Sequence, residues 1–407
     1  MLTPRPYQQI GIDFLSAKKR AILGDAPGLG KTLQAAIAVH PPVLVVAPTY
    51  LTTQWADFIS QQFPLDSVAL ANGTQLSRLR ALSACAKWTI VNTEMLRTYD
   101  MPRHTTSVIF DEAHHLRGRT AQQAKAAVEV ARFKEQVFLL TATPIIRECD
   151  DLYMLLRIIN PYKFKSYWGF VQQFCKIDRT PWADKVVGCV NPEALSNLLS
   201  QYMIQRSYKE VGMQLPAMIE QLVRIKFKPD RLSEYQNVKN EYRYLNITLD
   251  SAIQVLQVLR HLTICREKID TTVSLIQDIN VPTVIYTWYK ESARILAMEL
   301  KADLVTGDMT PNERVKVARN SKLVVATIAS MSEGVDLSHM RAVVFFEEDW
   351  TPGVMYQALS RVRRHSQNPE TVLVYYITMH GSVDESIHKM ITRRVSSTKE
   401  ILKEALL

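Results

Sequence analysis

Cysteine is scarce in this sequence, and long apolar runs are absent from it. The five cysteines among 407 residues are widely spaced, odd in number and free of any Cys-x-x-Cys pair. We therefore expect reduced thiols rather than a disulfide framework or a zinc site. No uncharged apolar stretch reaches the roughly 18 residues that a membrane span requires, and the N-terminal segment lacks the pattern of a secretory signal. These absences predict a soluble protein that stays in the compartment where it is made, by default the cytoplasm.

The composition is that of an ordinary globular chain. Apolar residues make up 47% of the sequence and charged residues 22%, which permits sizeable cores. A length of 407 residues is long for one domain and suits two. The net charge of +9 is shared by both halves of the chain, so it favours a polyanionic partner without a separate basic tail.

Short β-branched runs alternate with longer helical patterns in two series. Nearly continuous apolar strands separated by helices are typical of a parallel sheet covered on both faces. Each series therefore predicts one doubly wound α/β domain. The first series comprises residues 21–24, 43–48, 89–93, 108–111 and 137–142, and the second comprises 284–287, 323–327, 343–346 and 372–378.

Residues from about 146 to about 278 change to helical periodicity. Leu152, Leu155, Leu156 and Ile159 have the spacing of one helix face, and the aromatic residues that follow favour helix packing. We therefore expect a first domain over 1–215 with a helical protrusion at about 146–203. The second domain, over 216–407, would carry a helical insertion at about 228–278 and a long C-terminal helix. No wedge or pin is evident in this region.

A candidate phosphate-binding loop follows the first predicted strand and leads into a helical pattern. Glycines at 28 and 30 would let the backbone wrap a polyphosphate, and the helix N-terminus would present free N–H groups. In this pattern Lys31 contacts the β- and γ-phosphates, and the Thr32 hydroxyl binds Mg²⁺. A strict motif has glycine where Asp25 stands. The residues expected to line the phosphates are Asp25, Ala26, Pro27, Gly28, Leu29 and Gly30.

Two adjacent carboxylates end the strand at 108–111. Asp111 could hold Mg²⁺ through water, and Glu112 could orient the water that attacks the γ-phosphate. An isolated Asp-Glu pair would more often be a solvated turn, but its place about 80 residues after a phosphate loop favours the catalytic interpretation. His114 either couples this pair to the strand end at 141–143 or makes an ordinary polar contact.

Basic residues follow a helical spacing in the second half. Gln357, Arg361 and Arg364 stand at i, i+4 and i+7, on one face of a predicted helix. Arginines delivered from a second domain could neutralise charge on a phosphoryl group held by the first. A basic helix that contacts nucleic-acid phosphates is the alternative, and Arg363 on another face suits that simpler role.

In their order along the chain, these motifs resemble the superfamily 2 helicase core and, more narrowly, the Snf2-type DNA translocases. The resemblance implies two tandem RecA-like domains. Two departures concern motifs III and V: Ala142 stands where Snf2 proteins usually have Gly, and Ile328 and Ala329 stand where many have Thr and Arg. The matching blocks are residues 5–8, 28–32, 47–51 with 54–55, 93–97, 111–114, 140–145, 204–216, 306–308, 333–337, 349–352 and 357–364, and the helix at 382–406 resembles the terminal brace.

The resemblance also implies ligands and site residues. It implies ATP and Mg²⁺ as cofactors, duplex DNA as partner, and a monomeric motor with a protein partner for targeting left open. Arg5, Gln8, Gly334, Asp336 and Gln357 would join the phosphate loop at the nucleotide, with Gln8 on adenine. Trp350 would stack near nucleic acid, although packing in the core explains it as well. The residues expected to hold a DNA strand are Thr49, Thr93, Thr287, Gly307, Thr327 and Trp350.

The sequence therefore predicts an ATP-driven motor on double-stranded DNA, whose two lobes close on Mg·ATP. Lys31, Asp111, Glu112, Arg361 and Arg364 are the candidate catalytic residues. A strand-separating DNA or RNA helicase is the nearest alternative, because it shares the general motifs. A nucleotide-gated subunit that remodels or releases a protein partner is the alternative from another class.

Overall fold

A computed structural model describes residues 2–179, 184–241, 243–244, 247–248, 251–331, 335–364 and 371–402. The chain divides into two compact units: unit 1 comprises Met1–Met213 together with the residues from Arg394 onward, and unit 2 comprises Gln214–Arg393. The prediction placed the boundary after residue 215 and all of the C-terminal helix in the second domain. The end of that helix clusters with unit 1 because Ile401 and Leu402 are buried in its core.

Unit 1 is an α/β structure in which short strands alternate with helices. Two 3-10 turns, Thr93–Arg97 and Ala113–Leu116, follow strands β4 and β5. Its strands are β1 (Arg20–Leu23), β2 (Val43–Ala47), β3 (Val68–Leu70), β4 (Trp88–Asn92), β5 (Ser107–Phe110), β6 (Gln136–Leu140), β7 (Cys175–Arg179), β8 (Asp184–Cys189) and β9 (Met203–Ile204). Its helices are α1 (Pro6–Lys18), α2 (Lys31–Ala38), α3 (Thr49–Gln62), α4 (Gln75–Ser83), α5 (Gln122–Arg132), α6 (Asp151–Ile159), α7 (Tyr167–Phe174) and α8 (Pro192–Leu199).

The main sheet of unit 1 is parallel and covered on both faces. Its strand order is β3-β4-β2-β5-β6-β1-β9, and every pair is parallel. Successive side chains of a strand point to opposite faces, so Ile22 joins one apolar cluster while Ala21 and Leu23 join the other. The carboxyl ends of the strands therefore meet at one edge of the sheet, where ligands bind in open α/β sheets.

Unit 2 repeats this plan with a second parallel sheet. Its strand order is β10-β17-β16-β13-β15-β14, and all of its pairs are parallel. The strands of unit 2 are β10 (Ala217–Ile225), β11 (Arg243–Tyr244), β12 (Ile247–Thr248), β13 (Thr283–Thr287), β14 (Asp303–Val305), β15 (Leu323–Thr327), β16 (Ala342–Phe345) and β17 (Thr371–Met379). Its helices are α9 (Pro229–Glu241), α10 (Ala252–Leu262), α11 (Arg266–Ile279), α12 (Lys290–Leu300), α13 (Pro311–Asn320), α14 (Ile328–Met331), α15 (Pro352–Val362) and α16 (Val383–Leu402), of which α16 ends in unit 1. The prediction of two α/β domains with parallel sheets is confirmed.

The region predicted to be helical contains strands that the sequence analysis missed. Strands β7 and β8 form an antiparallel hairpin inside the expected helical protrusion, with Lys176, Asp178 and Arg179 exposed along it. Among the described residues, strand β10 lies at the edge of the unit 2 sheet and pairs with β17. Polar and apolar residues are mixed in both segments, and most of their side chains are exposed or half-buried. A search for continuous apolar runs therefore overlooks them.

The structure bears on two earlier expectations, which concern membrane-spanning helices and the state of the cysteines. Within the described ranges, no helix is both long and apolar enough to cross a bilayer. All five cysteines are free thiols, of which Cys149, Cys175 and Cys265 are buried.

Candidate active site

The loop between β1 and α2 has the backbone conformation that a phosphate-binding loop needs. Gly28 and Gly30 adopt φ values of +76° and +75°, in the left-handed region that glycine enters without steric cost. A Cβ atom at position 30 would also displace the side-chain amide of Gln8. The left-handed backbone therefore favours glycine at both positions.

Lys31 begins helix α2, and its ammonium group lies within the loop. Nζ donates hydrogen bonds to the carbonyl oxygens of Asp25 at 2.8 Å and Ala26 at 3.3 Å. Burial lowers the pKa of Lys31, and the carboxylates of Glu112, Asp25 and Asp111 partly offset that shift. The structure thus brings the predicted phosphate-binding lysine and the predicted carboxylate pair together. Thr32 occupies the next position in the first turn of α2, where it is half-buried.

Asp111 follows the last residue of β5 and is fixed on both carboxylate oxygens. Oδ2 accepts a hydrogen bond from the indole N–H of Trp55 at 2.8 Å, and Oδ1 accepts one from the backbone N–H of Glu112 at 2.9 Å. Burial, reinforced by the Glu112 charge, raises the pKa of Asp111 to about 6, although the two hydrogen bonds and Lys31 act in the other direction. The carboxylate therefore has a set orientation in a desolvated position.

Glu112 has an unusual backbone and joins a chain of polar contacts. Its φ of 47° lies in the left-handed region, which costs free energy for a residue other than glycine and is found chiefly at functional sites. Its Oε2 lies 3.1 Å from Nδ1 of His114, and that nitrogen lies 3.4 Å from Oγ1 of Thr141. The sequence left His114 open between coupling and an ordinary contact. The structure places it between Glu112 and the end of β6.

Asp25 directs its carboxylate away from the loop and into the interior. The residue is fully buried, and its oxygens are bound by Arg206 and Gln34. Asp25 would therefore contact a nucleotide through its backbone rather than through its carboxylate. Of the other loop residues, Ala26 and Leu29 are buried, and Pro27 is half-buried.

Gln8 and Arg5 lie beside the loop at the start of α1. Nε2 of Gln8 donates to the carbonyl of Leu29 at 3.1 Å, and its Oε1 accepts from the backbone N–H of Arg5 at 2.8 Å. The predicted adenine-binding glutamine thus contacts the phosphate loop directly. Its role toward adenine stays a prediction.

The predicted arginine stripe in unit 2 is only partly helical, which corrects the sequence analysis. Gln357 and Arg361 lie on α15, but this helix ends at Val362. Arg363 has extended backbone, and its side chain donates to the carbonyl of Pro216 at 2.9 Å. Arg364 therefore does not continue the helix face.

Arg364 instead forms an ion pair with another predicted nucleotide-site residue. Its Nη1 lies 3.3 Å from Oδ2 of Asp336. Burial alone would raise the pKa of Asp336, but the Ser338 N–H and the Arg364 charge bring it below its ordinary value. Gly334 was predicted beside Asp336 and lies outside the described residues.

Two of the residues predicted to hold DNA lie at the carboxyl edge of the unit 1 sheet. Thr49 opens helix α3 directly after β2, and Thr93 opens the 3-10 turn after the neighbouring β4. Oγ1 of Thr49 donates to Oε2 of Glu94 at 3.4 Å. The structure therefore brings the two threonine segments together at one edge.

The DNA-contact candidates of unit 2 differ in accessibility. Gly307 is exposed, with open space where a Cβ would stand. Thr327 is almost fully buried, and Thr287 is fully buried with its hydroxyl donating to the carbonyl of Tyr289 at 3.1 Å. In this structure the Thr287 hydroxyl is directed to the chain's own backbone, and the contacts of Thr287 and Thr327 with DNA stay predictions. Trp350 is half-buried, and its ring lies 5.2 Å from the Arg260 guanidinium.

Sequence reasoning missed Trp55 and Arg206 as site residues. Both stand in blocks that it compared with family motifs, but it gave neither a role. Because β2 pairs with β5, the helix after β2 lies near the end of β5, and this adjacency could have suggested a partner for Asp111. The Arg206 contact joins residues 181 positions apart, and local sequence carries no signal for it.

Comparison with known proteins finds two successive family matches along the chain. Residues 7–275 match the SNF2-related domain, and residues 267–366 match the helicase conserved C-terminal domain. One relative is the SWI/SNF-related matrix-associated actin-dependent regulator of chromatin subfamily A-like protein 1 of Xenopus tropicalis, 26% identical over 96% of this chain and 44% of the relative. Another is the DNA annealing helicase and endonuclease ZRANB3 of Mus musculus, 23% identical over 98% of this chain and 40% of the relative. The chain thus spans less than half the length of these relatives.

Among solved structures, the chain is similar to the Sulfolobus solfataricus SWI2/SNF2 ATPase core in complex with dsDNA. The identity is 20%, the TM-score is 0.46, and the match covers 100% of this chain and 97% of the other. The family assignment rests on the domain match, which extends over more than half of the chain. The chain belongs to the SNF2-related domain family, joined to a helicase conserved C-terminal domain.

Proposed function

We propose that this chain is an ATP-dependent motor of the Snf2 type, which couples ATP hydrolysis to movement along double-stranded DNA or to its remodelling. The observation that carries the proposal is the half-buried Asp111–Glu112 pair at the end of β5, which lies close enough to Lys31 of the glycine loop for both carboxylates to raise the pKa of that lysine. A phosphate-binding cation beside two oriented carboxylates is the arrangement that phosphoryl transfer to water requires. Membership of the SNF2-related family supports the choice of DNA as the track.

The loop and Lys31 would bind the triphosphate. Backbone N–H groups at the start of α2 would face its oxygens, and the helix N-terminus favours negative charge. Lys31 donates to two loop carbonyls in this structure. A bound phosphate would offer its ammonium group an acceptor of opposite charge, so nucleotide binding would redirect this side chain.

The donor set at the site suits Mg²⁺. The Thr32 hydroxyl and the Asp111 carboxylate are oxygen donors, which this cation prefers, usually together with substrate phosphates and waters. Among the residues that the structure describes, no group of three or more His, Cys, Asp or Glu side chains could hold a metal. When bound, the cation would neutralise charge on the phosphates.

Glu112 would orient the attacking water and accept its proton. Its contact with His114 at 3.1 Å, and the further contact with Thr141, would connect the water site to the end of β6. In unit 2, Arg361 and Arg364 remain the proposed groups that neutralise charge developing on the phosphoryl group. Thr49, Thr93 and Gly307 remain the proposed contacts to a DNA strand. Hydroxyl and backbone contacts to phosphate carry no base information, so binding would tolerate sequence and weaken with salt.

The experiment that tests this proposal compares ATP hydrolysis with duplex DNA, single-stranded DNA, RNA or no nucleic acid. We expect duplex DNA to raise the rate at least about tenfold and more than either other polymer, because duplex is the proposed track. Stimulation by RNA alone would overturn the proposal. Equal rates in all four reactions would favour a protein-remodelling subunit. Parallel reactions at rising salt should show the duplex effect fading as phosphate contacts are screened.

A further inference from the structure

The segment through which the chain leaves unit 1 runs along the phosphate loop. This exit segment, residues 203–208, begins as strand β9, which pairs with β1. The pairing continues past the end of β1: the N–H of Gly24 donates to Ile204 O at 2.8 Å, and the N–H of Ala26 donates to Arg206 O at 3.0 Å. The first half of the loop is therefore held by backbone from the exit segment.

The side chain of Arg206 adds a two-pronged ion pair to this contact. Its Nε donates to Oδ1 of Asp25 at 3.0 Å, and its Nη2 donates to Oδ2 at 2.6 Å. Asp25 is 0% exposed and Arg206 9%, so little water screens the pair. Both charges must remain paired to be tolerated at this depth.

Gln34 of helix α2 closes the arrangement into a ring. Its Oε1 accepts from Nη2 of Arg206 at 2.7 Å, and its Nε2 donates to Oδ2 of Asp25 at 3.0 Å. Nε2 also lies 3.2 Å from the carbonyl oxygen of Leu29. The ring therefore connects three parts of the chain: the exit segment, Asp25 of the phosphate loop, and helix α2.

The exit segment reaches one residue further along the loop through Tyr208. Its hydroxyl donates to the carbonyl of Pro27. Residues Gly24 to Pro27 are thus each held by the exit segment through a backbone or side-chain group. Two of them, Asp25 and Ala26, provide the carbonyls that position Lys31.

We propose that Arg206 is a positioning residue for the phosphate loop, and that the exit segment sets the nucleotide affinity of unit 1. This inference rests on the proposed function, because it presumes that the loop binds ATP. Asp25 replaces the glycine of the strict motif so that the loop has an anchor for Arg206. The affinity of unit 1 for nucleotide thus depends on the last part of unit 1 before the chain passes into unit 2 after Met213.

The test is Arg206→Lys in the full chain, with a fluorescent ATP analogue and Mg²⁺ as the probe. Lysine keeps the positive charge but lacks the planar guanidinium that donates to both carboxylate oxygens of Asp25. Because the loop would then be held less firmly, we expect the Kd for the analogue and the KM for ATP to rise about tenfold. The kcat at saturating ATP and the affinity for duplex DNA should stay within about twofold. Arg132→Lys, on the exposed Arg132–Glu129 pair of α5, is the matched control and should leave all four values unchanged.

A second variant keeps the inference testable if Arg206→Lys fails to fold. Tyr208→Phe removes one hydroxyl from the half-buried Tyr208 and should raise the same Kd about threefold with an unchanged melting curve. Folded variants that bind the analogue as tightly as wild type would overturn the inference, as would a loss confined to kcat. If wild type itself does not bind the analogue, the proposed function fails instead.

Discussion

Lys31→Ala is expected to abolish DNA-stimulated ATP hydrolysis while leaving duplex DNA binding within about twofold of wild type. The substitution removes the ammonium group of Lys31, which donates to the loop carbonyls and is acted on by the charges of Asp111 and Glu112. Loss of one preorganised group that stabilises transition-state charge typically lowers kcat by a hundredfold or more. DNA binding should persist, because Thr49 and Thr93 belong to other strand ends of the sheet. Steady-state phosphate release and a filter-binding titration would measure the two effects.

Lys125→Ala is the matched control for this result. Lys125 is exposed on α5, and its loss changes the net charge by the same amount. We expect its hydrolysis rate to match that of wild type. Normal turnover in Lys31→Ala would remove the phosphate-loop assignment, and loss of DNA binding in both variants would point to a general effect of charge.

Glu112→Gln should lower kcat by at least about a hundredfold while ATP still binds with nearly wild-type affinity. The amide has the size of the carboxylate and can keep a contact with His114, but it cannot accept a proton from the attacking water. General-base catalysis is worth about 10² to 10⁴ in rate. The effect should therefore appear in kcat and not in KM. Single-turnover hydrolysis with a nucleotide-binding titration separates the two.

Glu135→Gln is the control here, because Glu135 is exposed next to β6 and far in sequence from the loop. It should hydrolyse ATP like wild type. A Glu112→Gln protein that retains more than about a tenth of the wild-type kcat would assign the water-orienting role to another group.

Those parts of the fold that consist of buried, nearly continuous apolar strands could be predicted from sequence. The predicted run at 43–48 corresponds to β2 (Val43–Ala47), and the run at 323–327 corresponds to β15. Such strands are covered on both faces, so nearly every residue in them is apolar and the run is visible in the sequence. Most residues of edge strand β10 and of hairpin strands β7 and β8 are exposed or half-buried, and their mixed composition concealed them.

Some features of the candidate site follow from short sequence motifs, and others depend on contacts between residues that are far apart in the chain. The loop glycines, Lys31 and Asp111 follow from a contiguous motif whose spacing reflects backbone geometry. Just past the end of α15 at Val362, the Arg363 side chain donates to the carbonyl of Pro216, which is distant in sequence. The anchoring of Asp25 depends on Arg206, 181 residues away. A single sequence does not reveal such long-range hydrogen bonds. The prediction therefore placed Arg364 on a helix face and assigned no role to Arg206.

The most direct test of the central claim is displacement of a third strand from a DNA triplex, with ATP hydrolysis as the only energy source. A motor that moves along duplex DNA should strip the third strand in the presence of ATP and Mg²⁺, and Glu112→Gln should leave it in place. A forked duplex in the same experiment tests strand separation. The account predicts triplex displacement with the forked duplex left paired. Unwinding of the fork without triplex displacement would contradict it and favour a strand-separating helicase.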